Sequence, residues 1–153
     1  MRVQELMQKE VKACKATDNV NAAAKLMWDF GCGTLPVLDK DEKVIGMITD
    51  RDICMAAYTQ GRALTDIPVA SCMSKSVFAA KPTDELGVAE QLMRTNRVRR
   101  IPVVNDEATL VGLVTLDDLA RRVNGGKDQP PVTEKEVAQT YAGICCREAP
   151  AKA

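Results

Sequence analysis

Histidine is absent from the 153 residues, and aromatic side chains number only five, one Trp, two Tyr and two Phe. Without an imidazole the chain lacks the commonest general base and the commonest metal ligand. The six cysteines, at positions 14, 32, 54, 72, 145 and 146, form no CxxC pair. Together these absences argue against a zinc site. No paired-carboxylate constellation, thiol–base pair or glycine-rich phosphate loop is evident, so an enzyme is the least supported class. Basic and acidic residues balance at 21 each. No net field therefore favours nucleic acid or an anionic membrane, and five aromatics are few for base stacking. No apolar run approaches the 18 residues of a membrane span, and the start, Met1-Arg2-Val3-Gln4-Glu5-Leu6, lacks a signal-peptide apolar region. The expected location is cytoplasmic.

What the chain does have is a stretch that occurs twice. Gly46-Met47-Ile48-Thr49-Asp50-Arg51-Asp52-Ile53 returns as Gly112-Leu113-Val114-Thr115-Leu116-Asp117-Asp118-Leu119. Each copy is an apolar run ending at Thr, with Asp three residues on. The run reads as a buried strand and its continuation as a helix start. Thr then serves as N-cap and Asp as third helical residue, which is the pattern of a capping box. The same helix end offers unpaired N–H groups and a positive partial charge to a phosphate, and a carboxylate can accept two hydrogen bonds from ribose hydroxyls. Both readings stand at this point.

The offset of 66 residues holds without a gap from Met7 to Ile53, with 15 identities in 47 aligned positions. Among them are Met7/Met73, Thr17/Thr83, Pro36/Pro102, Val37/Val103, Gly46/Gly112, Thr49/Thr115 and Asp52/Asp118. One structural unit is built twice, and each copy alone is too small for a sizeable core. The expected divisions are 1–61 for the first repeat, 62–71 for a linker, 72–124 for the second repeat, and 125–153 for a spacer and short helix.

Within each copy the pattern predicts β-α-β-β-α, an α/β class with small sheets. Thr17-Asp18 is the expected start of the first helix, with Val20, Ala23, Ala24 and Met27 on its inner face. Pro36 makes its strand an expected edge or strand end. Asn124-Gly125-Gly126 is expected to end the second repeat, and Gln129-Pro130-Pro131 to form a stiff spacer. Thr133-Glu134-Lys135-Glu136 then reads as a capping box opening a helix too narrow in its apolar stripe to stand alone. That helix should dock on the repeats or on a partner. Adjacent Cys145 and Cys146 in this tail are candidates for redox sensitivity.

The repeat resembles a tandem pair of CBS domains, the Bateman module, over Met7 to Val123. The resemblance rests on Leu35-Pro36-Val37 and Ile101-Pro102-Val103, each followed at one spacing by Gly-hydrophobic-hydrophobic-Thr-x-x-Asp. It implies two CBS repeats packed as a pseudo-two-fold module, with adenine nucleotides or related adenosyl ligands bound in clefts between them. It implies a regulatory sensor and a homodimer paired through helical faces, with output through another protein. In the first site the resemblance gives Thr49 to phosphate, Asp52 to ribose, and Leu35, Pro36 and Val37 to the base; Arg51 adds a charge-assisted donor. The second site has Thr115, Asp118, Ile101, Pro102 and Val103, but Asp117 stands where Arg51 would be, and a carboxylate beside phosphate is unfavourable. Arg94, Arg97, Arg99 and Arg100 lie close by, with Arg100 the best compensating cation. AMP, ADP, ATP and S-adenosylmethionine stay open as ligands, no other cofactor is implied, and a scaffold with vestigial clefts is the alternative.

Overall fold

Each repeat is a small sheet with helices on it, and its core is the set of residues that the periodicity turns inward. The computed structural model describes residues 1–123 and 132–146, so the glycine stop at 124–126 and the expected Gln129-Pro130-Pro131 spacer fall outside the described residues. The order is β1 (Cys14–Lys15), α1 (Val20–Asp29), β2 (Thr34–Leu38), β3 (Val44–Thr49), α2 (Asp50–Gln60), α3 (Leu86–Asn96), β4 (Arg100–Val104), β5 (Leu110–Thr115), α4 (Leu116–Val123) and α5 (Glu134–Cys145). Among the described residues no helix is long and apolar enough to cross a membrane.

The chain divides into two compact units. One holds Glu10–Val77 with Asp106–Leu110; the other holds Met1–Lys9, Phe78–Asn105 and the described residues from Val111 on. Met1–Lys9 is thus grouped with residues of the second repeat. The reason is a backbone pairing. Gln8 and Leu113 exchange hydrogen bonds of 2.9 and 3.0 Å, while Ser74 and Met47 exchange bonds of 2.9 and 3.0 Å. The leading segment of each repeat thus adds to the strand of the other repeat's unit. Gly46 and Gly112 make room for it. A Cβ on Gly46 would lie 2.7 Å from the Ser74 carbonyl oxygen, and one on Gly112 would lie 2.5 Å from Met7 Sδ.

In the first-repeat unit the sheet order is β1-β2-β3, with β1 parallel and β3 antiparallel to β2. Pro36 is therefore in the central strand, not at an edge. It is tolerated because neither ladder needs its missing N–H: Met47, opposite it, bonds Ser74 instead, and β1 pairs only with Val37 and Leu38. Helix α1 starts one residue later than expected. Asn19 is the N-cap, accepting from Ala22 N, while Asp18 accepts from Lys15 N in the preceding turn. Its inward residues Val20, Ala23 and Met27 join Leu35, Val37, Ile48, Ile53 and Ala56 in the core. Burial of each larger side chain contributes about 1.5–3 kcal/mol.

The second-repeat unit repeats the scheme with β4-β5, and a bridge from Ala80 to Val103 in place of β1. Its core joins Ala89, Met93, Ile101, Val103, Val114 and Leu119 with Val3 from the N-terminal segment and Ile144 from α5. Thr133 caps α5 in the expected box, and the helix docks on α3 and α4. Arg94 lies against Gly143 and donates to the Thr140 hydroxyl at 3.0 Å; Arg99 stands over the Tyr141 ring.

Candidate functional site

The two Thr-x-x-Asp segments adopt the same local geometry. Thr49 ends β3 in extended conformation and caps α2, its hydroxyl accepting from Asp52 N at 3.2 Å. The Asp52 carboxylate returns the contact: Oδ2 accepts from Thr49 N at 2.8 Å and from Thr49 Oγ1 at 2.7 Å. Thr115 and Asp118 repeat this at 2.8, 2.7 and 3.1 Å. The capping box read from the sequence is thus present twice.

The outer carboxylate oxygens differ. Asp118 Oδ1 accepts from Gln8 Nε2 at 2.8 Å and from Arg121 Nη2 at 2.7 Å. Asp52 Oδ1 has no hydrogen bond among the described residues, and its carboxylate is half-buried. The repeat offset explains why. The counterparts of Gln8 and Arg121 are Ser74 and Met55. A serine is too short and a methionine has no donor. Asp118 is 7 % exposed. Burial pushes its carboxyl up, but the hydrogen bonds from Thr115, Gln8 and Arg121 outweigh burial and hold it below its ordinary value. The Arg121 guanidinium is raised in turn, chiefly by its bond to Asp118.

Arg51 is exposed on the first turn of α2, next to that open oxygen's residue, and Asp117 is exposed at the matching place on α4. Leu35 and Val37 are wholly buried in the first-repeat core and Pro36 is buried, its carbonyl facing the Cys14 thiol. Ile101 and Val103 are equally buried in the other core, with Pro102 between them. In this conformation the apolar triplets are packed in the two cores, and of the two Thr-x-x-Asp ends the one at Asp52 is partly accessible while the one at Asp118 is buried. Of the four arginines, Arg94 and Arg99 hold α5, and Arg97 takes the left-handed conformation that closes α3. The Arg100 side chain, half-buried at the start of β4, makes no hydrogen bond or ion pair among the described residues.

The cations beside Asp118 are others. A cavity of about 230 Å³ is lined by Leu6, Asp118, Arg121 and Arg122. The sequence reading missed Gln8 and Arg121, although the offset from Ser74 and Met55 carried the signal. In the first-repeat unit a cavity of about 470 Å³ beside β1 and β2 is lined by Val11, Ala13, Leu38 and Leu110 among others, with the Lys15–Glu42 ion pair in its wall. Burial and then the Asp18 charge push the Cys14 thiol at its edge up to about 12, so this cysteine is a core group and not a nucleophile. Cys145 and Cys146 are exposed free thiols. No group of three or more His, Cys, Asp or Glu among the described residues is placed to hold a metal ion.

Comparison with known proteins agrees with the repeat. The CBS domain family profile matches residues 3–58 and 66–125. The chain is 36% identical over 118 residues to the CBS domain-containing protein YhcV of Bacillus subtilis, covering 77% of this chain and 82% of that protein. It is 35% identical over 121 residues to inosine-5'-monophosphate dehydrogenase of Methanocaldococcus jannaschii, but there the match takes 79% of this chain and only 23% of the enzyme. Among solved structures it is similar to the CBS domain pair of protein MJ0100 in complex with 5'-methylthioadenosine and S-adenosylmethionine. That match has TM-score 0.71 and 25% identity, and covers 79% of this chain and 98% of that one.

Proposed function

The chain belongs to the CBS domain family as a tandem pair, and we propose that it is a regulatory module binding an adenosyl ligand first at the Thr49, Arg51 and Asp52 end of its first repeat. The observation that carries this reading is the unequal state of the two carboxylates. Asp52 keeps an oxygen open to ribose hydroxyls, with Arg51 close in sequence as a phosphate donor. Asp118 has both oxygens engaged by Thr115, Gln8 and Arg121. A ligand there must displace existing charge-assisted bonds and meets Asp117 as well, so the second site binds more weakly or is silent. The adenosyl class is supported by the ligands in the MJ0100 structure, and AMP, ADP and ATP stay in the set through the family resemblance. The match to the dehydrogenase spans under a quarter of that enzyme, so its activity is not carried over, and the module's output passes to a partner protein. Calorimetric titration of the full chain with AMP, ADP, ATP and S-adenosylmethionine tests the reading. One of the four should saturate; heat from none of them would favour the scaffold alternative.

A second reading, compatible with the first, concerns assembly. Trp28 and Tyr58 are 87% and 83% exposed on α1 and α2, and Phe30 and Met55 are exposed near them. A cavity of about 360 Å³ between these helices is lined by Ala24, Met27, Trp28, Ile53, Cys54 and Leu64. In the other repeat the matching helices α3 and α4 carry α5, and Trp28 falls where Arg94 meets that helix. A second copy of the chain covering α1 and α2 would complete the parallel. Light scattering tests this homodimer by a mass of twice 16.6 kDa against one of 16.6 kDa.

A further inference from the structure

Glu90 has no place in the adenosyl site, and its surroundings need an occupant. It lies on α3 where the first repeat has Ala24. It is 7 % exposed, and its Oε1 has no hydrogen-bond partner. Thr140 of α5 faces the same carboxyl. A buried carboxylate oxygen without a donor is a costly arrangement unless something else meets it. Glu90 lines a cavity of about 310 Å³ together with Glu85, Glu136, Leu86, Val132 and Met1. That volume is at the lower end of small-molecule sites, which run from about 300 to 1,000 Å³.

Three carboxylates therefore converge on one pocket at the junction of α3 and α5. Glu136 uses Oε2 in the α5 capping box, accepting from Thr133 N and Oγ1 at 2.7 Å each, which leaves its other oxygen for the cavity. Glu85 is the N-cap of α3 but makes no capping bond with its side chain. Arg94, the cation nearest Glu90 on α3, is turned to Thr140 and Gln91. The three carboxylates are not grouped to hold a single metal ion. Leu86, Val132 and Met1 line the cavity beside them. Separate negative points in a largely polar wall that also holds Leu86 and Val132 match a chain of methylenes with an ammonium at intervals. We infer that this cavity binds an aliphatic polyamine, with Glu90 as the buried anchor and Glu85 and Glu136 at the rim, so that the ligand ties α5 to α3.

The test is calorimetric titration of the full chain with spermidine, putrescine and magnesium chloride at matched ionic strength. Wild type, Glu90→Gln and the rim variant Glu85→Gln/Glu136→Gln are compared. Gln keeps the shape at position 90 and the capping box at position 136. Spermidine should bind at one per chain, putrescine more weakly, and magnesium without saturation. Glu90→Gln should weaken spermidine at least tenfold, and so should the rim variant. If Glu90→Gln does not fold, the exposed rim variant decides alone. Absence of saturable spermidine binding, equal binding in wild type and variants, or magnesium binding as tightly as spermidine would each overturn the inference. Adenosyl binding by the first repeat is measured separately on Asp52→Ala, so failure of one site is distinguishable from failure of the other.

Discussion

Asp52 and Asp118 hold the same position in two repeats, make the same capping bonds, and differ in who meets the second oxygen. That difference sets the first prediction. Asp118→Ala removes the acceptor of the buried Thr115 N–H and hydroxyl and frees the exposed Gln8 and Arg121 donors to water, at a loss on the order of 1–3 kcal/mol set mainly by Thr115, while Asp52→Ala loses chiefly a half-exposed cap, about 1 kcal/mol. Urea unfolding of the two variants compares them directly. The pH dependence follows from the same bonds. Asp118 sits below its unfolded value, so its stabilisation is complete above the ordinary carboxylate range and is lost as pH falls through the lowered value. Asp118→Asn should flatten the acid limb of the stability curve. Glu90 runs the other way. Burial first, and then the Glu136 charge, raise it, against smaller opposing effects from Arg94 and Thr140; Glu85 and Met1 share its cavity. Its stabilisation is present below the unfolded value and lost as pH rises through the raised one. Without a bound cation, Glu90→Gln should therefore melt higher than wild type at neutral pH and alike in acid.

At the scale of elements, the strand glycines explain why the repeat needs Gly before its hydrophobic pair. Gly46→Ala forces the Ser74 carbonyl away from β3, and Gly112→Ala presses on Met7 and on the Gln8 carbonyl at 3.0 Å. Overpacking of this kind costs typically about 1–3 kcal/mol. Because the backbone obstacle is nearer at Gly46, at 2.7 Å against 3.0 Å, while the closest atom at Gly112 is the flexible Met7 Sδ, the Gly46 substitution should be the worse of the two, measured by the midpoint of urea unfolding. Helix limits were legible wherever a capping residue carried the signal. Thr49 and Thr133 start their helices where the Thr-x-x-acid pattern places them, whereas Thr17-Asp18 offered a cap one residue early and Asn19 took the role. Pro36 was misplaced for a physical reason. A proline excludes a strand only where a ladder needs its N–H, and that depends on register and on the length of β1, neither of which is written at position 36.

For the whole molecule, the 66-residue offset made the two repeats and their class readable, but not the exchange of leading segments. Met7/Met73 looked like one more core identity, yet each methionine packs over the glycine of the other repeat's strand. The same exchange brings Gln8 to Asp118 beside Arg121 of the second repeat itself, so half of the clamp on that carboxylate comes from outside its own repeat and shows in the offset only once Ser74 is paired with the other repeat. Rebuilding that clamp in the first repeat, with Met55→Arg and Ser74→Gln, should engage Asp52 and weaken nucleotide binding at least tenfold while leaving the fold intact.

The most direct test of the assignment is a titration of wild type, Asp52→Ala and Asp118→Ala with whichever adenosyl ligand saturates. Loss of a charge-assisted bond is worth about 1.5–3 kcal/mol, a tenfold to hundredfold weaker Kd. The prediction is that Asp52→Ala removes the tight phase and Asp118→Ala leaves it nearly unchanged; the reverse pattern, or equal effects in both variants, would contradict the account.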